Sequence, residues 1–130
     1  MAAMVLLTVV VLVRLFRSRV AAVRRGQVEA AYFRLYQGDE PETTRKVSRH
    51  FTNLFEAPTL FYVACLAGML VAADGPVFAG LAWGYVATRA VHAFIHLGGN
   101  RLRKRILAYF ASWLFLVAMW VSLVVVVASR

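Results

Sequence analysis

Long apolar runs make up most of the chain, and short polar breaks separate them. With its flanking residues, each run has the length of one helical bilayer crossing, about 20 residues. Turn-forming residues mark the breaks, at Gly38-Asp39-Glu40-Pro41, Asp74-Gly75-Pro76 and Gly98-Gly99-Asn100. The pattern predicts a single all-α domain over residues 1–130, an integral membrane four-helix bundle. Its helices are predicted at about 2–24, 44–73, 77–97 and 102–128.

Composition agrees with a membrane protein. Hydrophobic residues make up 62% of the chain and the mean hydropathy is +0.68, whereas soluble domains are nearer half apolar. The formal net charge of +9 could indicate a nucleic-acid partner. However, the basic residues flank apolar runs, so we attribute them to membrane orientation and predict no nucleic-acid binding. The single Cys65 excludes an internal disulfide.

The basic residues also predict the topology. Nine Lys or Arg lie within 14–49 and four within 101–105, which leaves only Arg89 and Arg130 elsewhere. Because cytoplasmic loops carry the excess of Lys and Arg, both basic segments should be cytoplasmic and both termini outside. A secretory signal peptide would carry its positive charge before the first apolar run, and here the charge follows it.

Polar residues interrupt the apolar helices at one predicted depth. At about 100° per residue, Arg49, Asn53 and Glu56 share one face of the second helix, and Pro58 should kink it. The second helix is predicted to enter the membrane from the cytoplasm near Ser48, so Glu56 lies eight residues into the membrane, a depth of about 12 Å. On the other two helices the same cytoplasmic half carries Arg89, His92 and His96, and then Arg105 and Tyr109.

Two interpretations of these polar residues remain open. They could join the helices, with Glu56 paired to Arg89 and Asn53 to His92. Alternatively, the arginines, which outnumber the single Glu56, could bind an anionic ligand. A transporter is less favoured, because the chain has neither an inverted repeat nor a pair of broken helices. No metal site is predicted, because His92 and His96 lack an evident third ligand beyond Glu56.

Two motifs resemble those of the membrane-associated proteins in eicosanoid and glutathione metabolism, the MAPEG family. The first is Arg49-x-x-x-Asn53-x-x-Glu56, followed closely by Pro58. The second is Arg89-x-x-His92, then His96-Leu97-Gly98 through Asn100, then Arg105-x-x-x-Tyr109. The resemblance covers nearly the whole chain, and the combination of motifs at this spacing is specific.

The resemblance implies a homotrimer that binds glutathione between neighbouring subunits, in the cytoplasmic half of the membrane. Glutathione has two carboxylates, one ammonium and one thiol. Glu56 would bind the ammonium, while Arg49 and Arg89 would bind carboxylates or backbone carbonyls. As the catalytic residue, Arg105 would hold the thiolate, with a hydrogen bond from Tyr109 at the same end. The glutathione-binding residues implied in this way are Arg49, Asn53, Glu56, Arg89, His92 and Tyr109.

Two positions depart from the eicosanoid-synthesising branches. Ile106 stands where the prostaglandin E synthases have a serine, and His96 replaces an aromatic hydroxyl, so the chain is closer to the short bacterial members. We therefore predict a glutathione transferase or peroxidase that acts on a lipophilic electrophile. The alternative is a non-catalytic membrane protein of the same fold, in which the polar residues serve helix packing.

Overall fold

The computed structural model describes residues 1–36, 38–73 and 75–129, and its regular structure there is entirely α-helical. The predicted break residue Asp74 and the C-terminal Arg130 lie outside the described residues. In chain order, the helices are α1 (Ala2–Arg24), α2 (Tyr32–Leu35), α3 (Glu42–Asn53), α4 (Ala57–Leu70), α5 (Pro76–Leu97) and α6 (Leu102–Ala128).

The region predicted as one helix over about 44–73 consists of two helices, α3 and α4. Pro58 has no N–H, so in one continuous helix the Leu54 carbonyl would lose its hydrogen bond. Pro58 instead lies in the first turn of α4, where no such bond is needed. The chain instead turns tightly, and Phe55 N–H donates to the Thr52 carbonyl at 2.9 Å. Glu56 therefore occupies the N-cap position of α4, with φ −90° and ψ −97°, instead of a helix interior.

Two stretches are long and apolar enough to cross a membrane, judged by length and composition alone. They are Glu42–Leu70, which comprises α3 and α4, and Leu102–Ala128, which is α6. The other two long helices, α1 and α5, do not meet this criterion. Arginines occupy the second half of α1, and α5 carries Arg89 and two histidines.

The helices pack around an apolar core. α5 packs along α6, α1 packs along α3, and α4 contacts both α5 and α6. Phe61 of α4 stacks on Tyr85 of α5, with ring centroids 4.5 Å apart and an interplanar angle of 12°. Both side chains are fully buried. These contacts hold α5, which carries three of the six buried polar or charged residues described, against both α4 and α6.

Large apolar side chains cover the outside of the single chain. Leu70, Val77 and Phe94 are 86%, 76% and 83% exposed. Many others on α1, α4 and α6 are exposed as well. Soluble monomers rarely present so much contiguous apolar surface, whereas lipid tails or a neighbouring subunit would cover it. The surface thus fits an integral membrane protein.

Basic side chains from two helices bind the C-terminal end of α5. Arg14 of α1 donates to the Leu97 carbonyl at 3.0 Å, and Lys46 of α3 donates to the Gly98 carbonyl. Cations at a helix C-terminus satisfy its free carbonyls and oppose its dipole. Arg14 itself remains exposed while its guanidinium reaches the end of α5. These contacts bring α3 beside the end of α5, where the candidate site lies.

Candidate functional site

The predicted site residues surround one open cavity of about 530 Å³, within the range typical of small-molecule sites. Helices α3, α5 and α6 form its walls together with the turn before α4. Its lining consists of Arg49, Thr52, Asn53, Glu56, His92, His96, Arg105, Ile106, Tyr109 and Phe110. Six of the seven predicted site residues are therefore in the lining. The seventh, Arg89, lies behind it.

Arg89 is completely buried and is bound by Asn53. Its Nη2 donates to the Asn53 side-chain oxygen at 2.6 Å and to the Asn53 backbone oxygen at 3.2 Å. Asn53 Nδ2 in turn donates to a Glu56 carboxylate oxygen at 3.0 Å. Asn53 thus stands between the cation and the carboxylate. Glu56 and Arg89 therefore do not form the direct pair considered from the sequence; the Asn53 side-chain amide links them.

The Arg89 guanidinium is incompletely satisfied. Its Nε and Nη1 atoms are buried and have no hydrogen-bond partner among the described residues. The guanidinium carbon lies 6.0 Å from the centroid of the Tyr109 ring, within the range of a cation–π contact. Buried cations are costly unless they are paired, and the partner that binds Arg89, Asn53, is neutral. Arg89 therefore adds a positive charge directly behind the cavity wall.

Arg105 is held by a residue that the sequence analysis did not assign to the site. Its Nη1 donates to the Asn100 side-chain oxygen at 2.7 Å. Asn100 lies in the turn between α5 and α6 with φ +46°, a left-handed conformation that asparagine tolerates better than most residues. Asn100 belongs to the second motif, but its role depends on the turn geometry, which spacing alone does not reveal.

His92 attaches α5 to the first turns of α6. Its Nδ1 lies 3.1 Å from the Arg105 backbone oxygen. A carbonyl only accepts hydrogen bonds, so Nδ1 carries the proton and Nε2 keeps its lone pair. The His92 ring also lies 5.7 Å from the Tyr109 ring. The Asn53–His92 pairing considered from the sequence is replaced by this bond to Arg105.

The charges on the cavity differ in exposure. Arg49 and Glu56 are exposed at its mouth, whereas Arg105 and Tyr109 are half-buried deeper in the wall. One carboxylate and two arginines thus face the same space, with Arg89 buried behind them. This arrangement suits a ligand that has several anionic groups and one cationic group.

A third histidine, His50, completes a buried cluster with His92 and His96. His50 Nδ1 lies 3.0 Å from His96 Nδ1, and the His50 and His92 ring centroids are 5.6 Å apart. From the sequence, no third ligand beyond Glu56 was evident beside His92 and His96, and the structure places His50 there. All three histidines of the chain meet here. A usable signal existed, because the second helix is predicted to enter the membrane near Ser48 and the third to leave it near Leu97. His50 and His96 each lie within two residues of those points.

Comparison with known proteins identifies the family. The MAPEG family model matches residues 1–125, nearly the whole chain. No curated protein and no solved structure gives a match. The chain belongs to the MAPEG family, which is membrane-associated and related to glutathione metabolism. The family and the two apolar stretches together fit an integral membrane protein.

Proposed function

We propose that this MAPEG protein is a glutathione-dependent membrane transferase or peroxidase that acts on a lipophilic electrophile. The observation that carries the proposal is the cavity of about 530 Å³. Arg49, Arg105 and the Glu56 carboxylate face into it, and the buried Arg89 lies behind it. Glutathione carries the complementary groups, two carboxylates, one ammonium and a thiol.

The positions of the side chains suggest a division of roles. The exposed Glu56 would accept the ammonium, and the exposed Arg49 would bind a carboxylate. The deeper Arg105 would stabilise the thiolate, because its guanidinium is permanently charged and Asn100 restrains it. Tyr109 would donate a hydrogen bond at the same end. Arg89 would act through Asn53 and through its positive field, since the Arg89 side chain does not line the cavity.

The proposed chemistry begins with loss of the thiol proton to water in the cavity. In a transferase, the thiolate sulfur forms a bond to an electrophilic carbon, and the leaving group departs with its electron pair. In a peroxidase, the sulfur attacks a hydroperoxide oxygen, and a second glutathione resolves the product. The products are then an alcohol, water and oxidised glutathione. Apolar surface beside Phe110 and Ile106 would receive the lipophilic substrate.

The proposal also concerns membrane topology and oligomeric state. We propose that α1, the α3–α4 pair, α5 and α6 form a four-span bundle, with both termini outside the cytoplasm. We further propose a homotrimer, whose neighbouring subunits would close the open side of the cavity and cover part of the exposed apolar surface. The exposure of Arg49 and Glu56 in the single chain supports a site that a neighbour completes.

A second candidate is a non-catalytic membrane protein of the same fold. It is favoured by the Arg89–Asn53 and His92–Arg105 bonds, in which polar groups of the chain satisfy one another across helices. On this alternative, the polar groups fix helix packing and the cavity binds no glutathione.

Calorimetry separates the two candidates. The purified protein in detergent is titrated with glutathione and, as a control, with S-methylglutathione. The enzyme proposal expects saturable heat with glutathione, together with the ultraviolet absorbance of a bound thiolate, which the S-methyl compound cannot give. A folded protein that gives neither heat nor thiolate absorbance at millimolar glutathione would support the packing role.

A further inference from the structure

The histidine cluster has fewer partners than its buried nitrogens require. His50, His92 and His96 are 0%, 4% and 9% exposed. The Nδ1 atoms of His50 and His96 share one hydrogen bond, and His92 Nδ1 donates to the Arg105 carbonyl. His50 Nε2 is buried without a hydrogen-bond partner among the described residues. The protein groups described therefore leave this cluster incompletely satisfied.

We propose that the cluster of His50, His92 and His96 is a binding site for a divalent transition metal of the zinc class. Each residue offers one ring nitrogen, and these three atoms lie within 4.8 Å of one another. Tetrahedral zinc with bonds of 2.0–2.1 Å would bring its nitrogens to roughly 3.3 Å. The Nδ1 atoms of His50 and His96, 3.0 Å apart, are already close to that value, and the nitrogen of His92 would move inward from within 4.8 Å of them.

The bond from His92 to Arg105 resembles the outer shell of known metal sites. Histidine ligands usually donate their second ring N–H to a carbonyl or carboxylate, which fixes the tautomer and orients the ring. His92 does this with the Arg105 backbone oxygen at 3.1 Å, and its Nε2 lone pair remains available. Residues from two helices, α3 and α5, supply the three ligands. Helix packing therefore forms the site in advance.

The fourth coordination position would face the cavity. His92 and His96 line the cavity, whereas His50 lies behind them. Three protein ligands with an open fourth position are typical of catalytic zinc, whereas structural sites use four. Arg89, Arg105, Lys46 and Arg49 surround the cluster, and their charge disfavours a bare dication. An anionic fourth ligand, hydroxide or a thiolate, would offset this repulsion.

The open fourth position also adds a step to the proposed function, and this part of the inference rests on that function. If glutathione occupies the cavity, its sulfur is the natural fourth ligand. The thiol would lose its proton to water as the sulfur–metal bond forms, because thiolates are the form that zinc binds. Metal and Arg105 would then stabilise the same thiolate. Metal binding by the three histidines needs no glutathione and is tested separately.

The test uses the full chain without a histidine tag, purified in detergent and treated with a chelator. After equilibration with Zn²⁺ and gel filtration, metal analysis should find one zinc per chain. His50→Gln and His92→Gln should each lower zinc affinity by at least about tenfold. Cys65→Ala, which removes the only cysteine of the chain, is the matched control and should bind zinc like the wild type. Gel-filtration profiles establish that each variant is folded.

Co²⁺ provides a measurement that needs no variant. The wild-type protein with Co²⁺ should show the visible absorption of tetrahedral cobalt. Adding glutathione, but not S-methylglutathione, should add a thiolate-to-cobalt charge-transfer band. If the folded wild type retains no more zinc than His50→Gln and gives no tetrahedral cobalt spectrum, the metal site is disproved. Calorimetric glutathione binding without any metal would then leave the proposed function intact and remove only this inference.

Discussion

Arg89 donates to both oxygens of Asn53, at 2.6 Å to the side chain and at 3.2 Å to the backbone. The two residues lie 36 positions apart, on α5 and α3, and join these helices at the wall of the cavity. A fully buried guanidinium is costly without partners, so Asn53 offsets part of that cost. Asn53 also binds the Glu56 carboxylate, and thereby links the buried charge to the exposed one.

Asn53→Ala should destabilise the folded protein even without ligand. The substitution removes the short bond to a buried charged group and leaves one longer bond to the backbone. We expect a loss of about 2–3 kcal/mol in the free energy of unfolding, measured by denaturant unfolding in detergent. Thr52→Ala, at the exposed neighbouring position, is the control and should change stability by less than about 0.5 kcal/mol. Equal losses in the two variants would contradict the role of Asn53.

Glu56→Gln should weaken glutathione binding without changing the stability of the free protein. Glu56 is exposed, and glutamine retains an oxygen that can accept the Asn53 hydrogen bond, so the fold loses little. Loss of the carboxylate removes the partner of the ammonium, and calorimetric affinity should fall about tenfold or more. The packing alternative expects the reverse, a lower melting temperature with or without glutathione.

Arg105→Lys should reduce the fraction of bound glutathione that is thiolate. Lysine keeps a positive charge but loses the planar fork that lets one guanidinium bind both Asn100 and a sulfur. Thiolate absorbance at saturating glutathione should fall several-fold, whereas affinity should fall much less. Arg103→Lys, at an exposed position outside the cavity lining, serves as the control and should match the wild type.

Asn100→Gly should separate the role of the amide from that of the turn. Glycine accepts the φ of +46° at this position, so the backbone is preserved while the partner of Arg105 is removed. With Arg105 less restrained, the catalytic rate should fall about tenfold, the effect of losing one hydrogen bond to a charged group. The melting temperature should change little. An unchanged rate would show that Asn100 does not position Arg105.

Gly84→Ala should destabilise the packing of α5 against α6. A Cβ at Gly84 would come within 2.4 Å of the Phe115 ring, so either the ring moves or the helices separate. Overpacking of this kind costs about 1–3 kcal/mol. Gly80→Ala, one turn earlier, meets no atom within 4 Å and should not destabilise the protein. Thermal melting of both variants in one detergent tests the difference, and equal melting temperatures would contradict it.

The sequence by itself determined the helical class, the family and the residues around the cavity. The apolar runs required helices, because helical backbone satisfies its own hydrogen bonds in lipid. Helical spacing and depth placed Asn53 one turn after Arg49 on α3 and Tyr109 one turn after Arg105 on α6, since position along a helix fixes both the face and the height of a side chain. These inferences depend only on local geometry. Glu56 reaches the same cavity from the turn before α4.

Only the tertiary structure decided which polar groups bind each other. In the structure, Asn53 links Glu56 to Arg89 in place of a direct pair, because α3 ends at Asn53 and the chain turns at Leu54–Glu56. It also brought His50 into contact with His96 and gave Arg105 its partner Asn100. Whether two polar groups bind each other depends on helix rotation and on turn conformation, because a shift of an ångström or two breaks a hydrogen bond. Spacing along one helix does not contain that information.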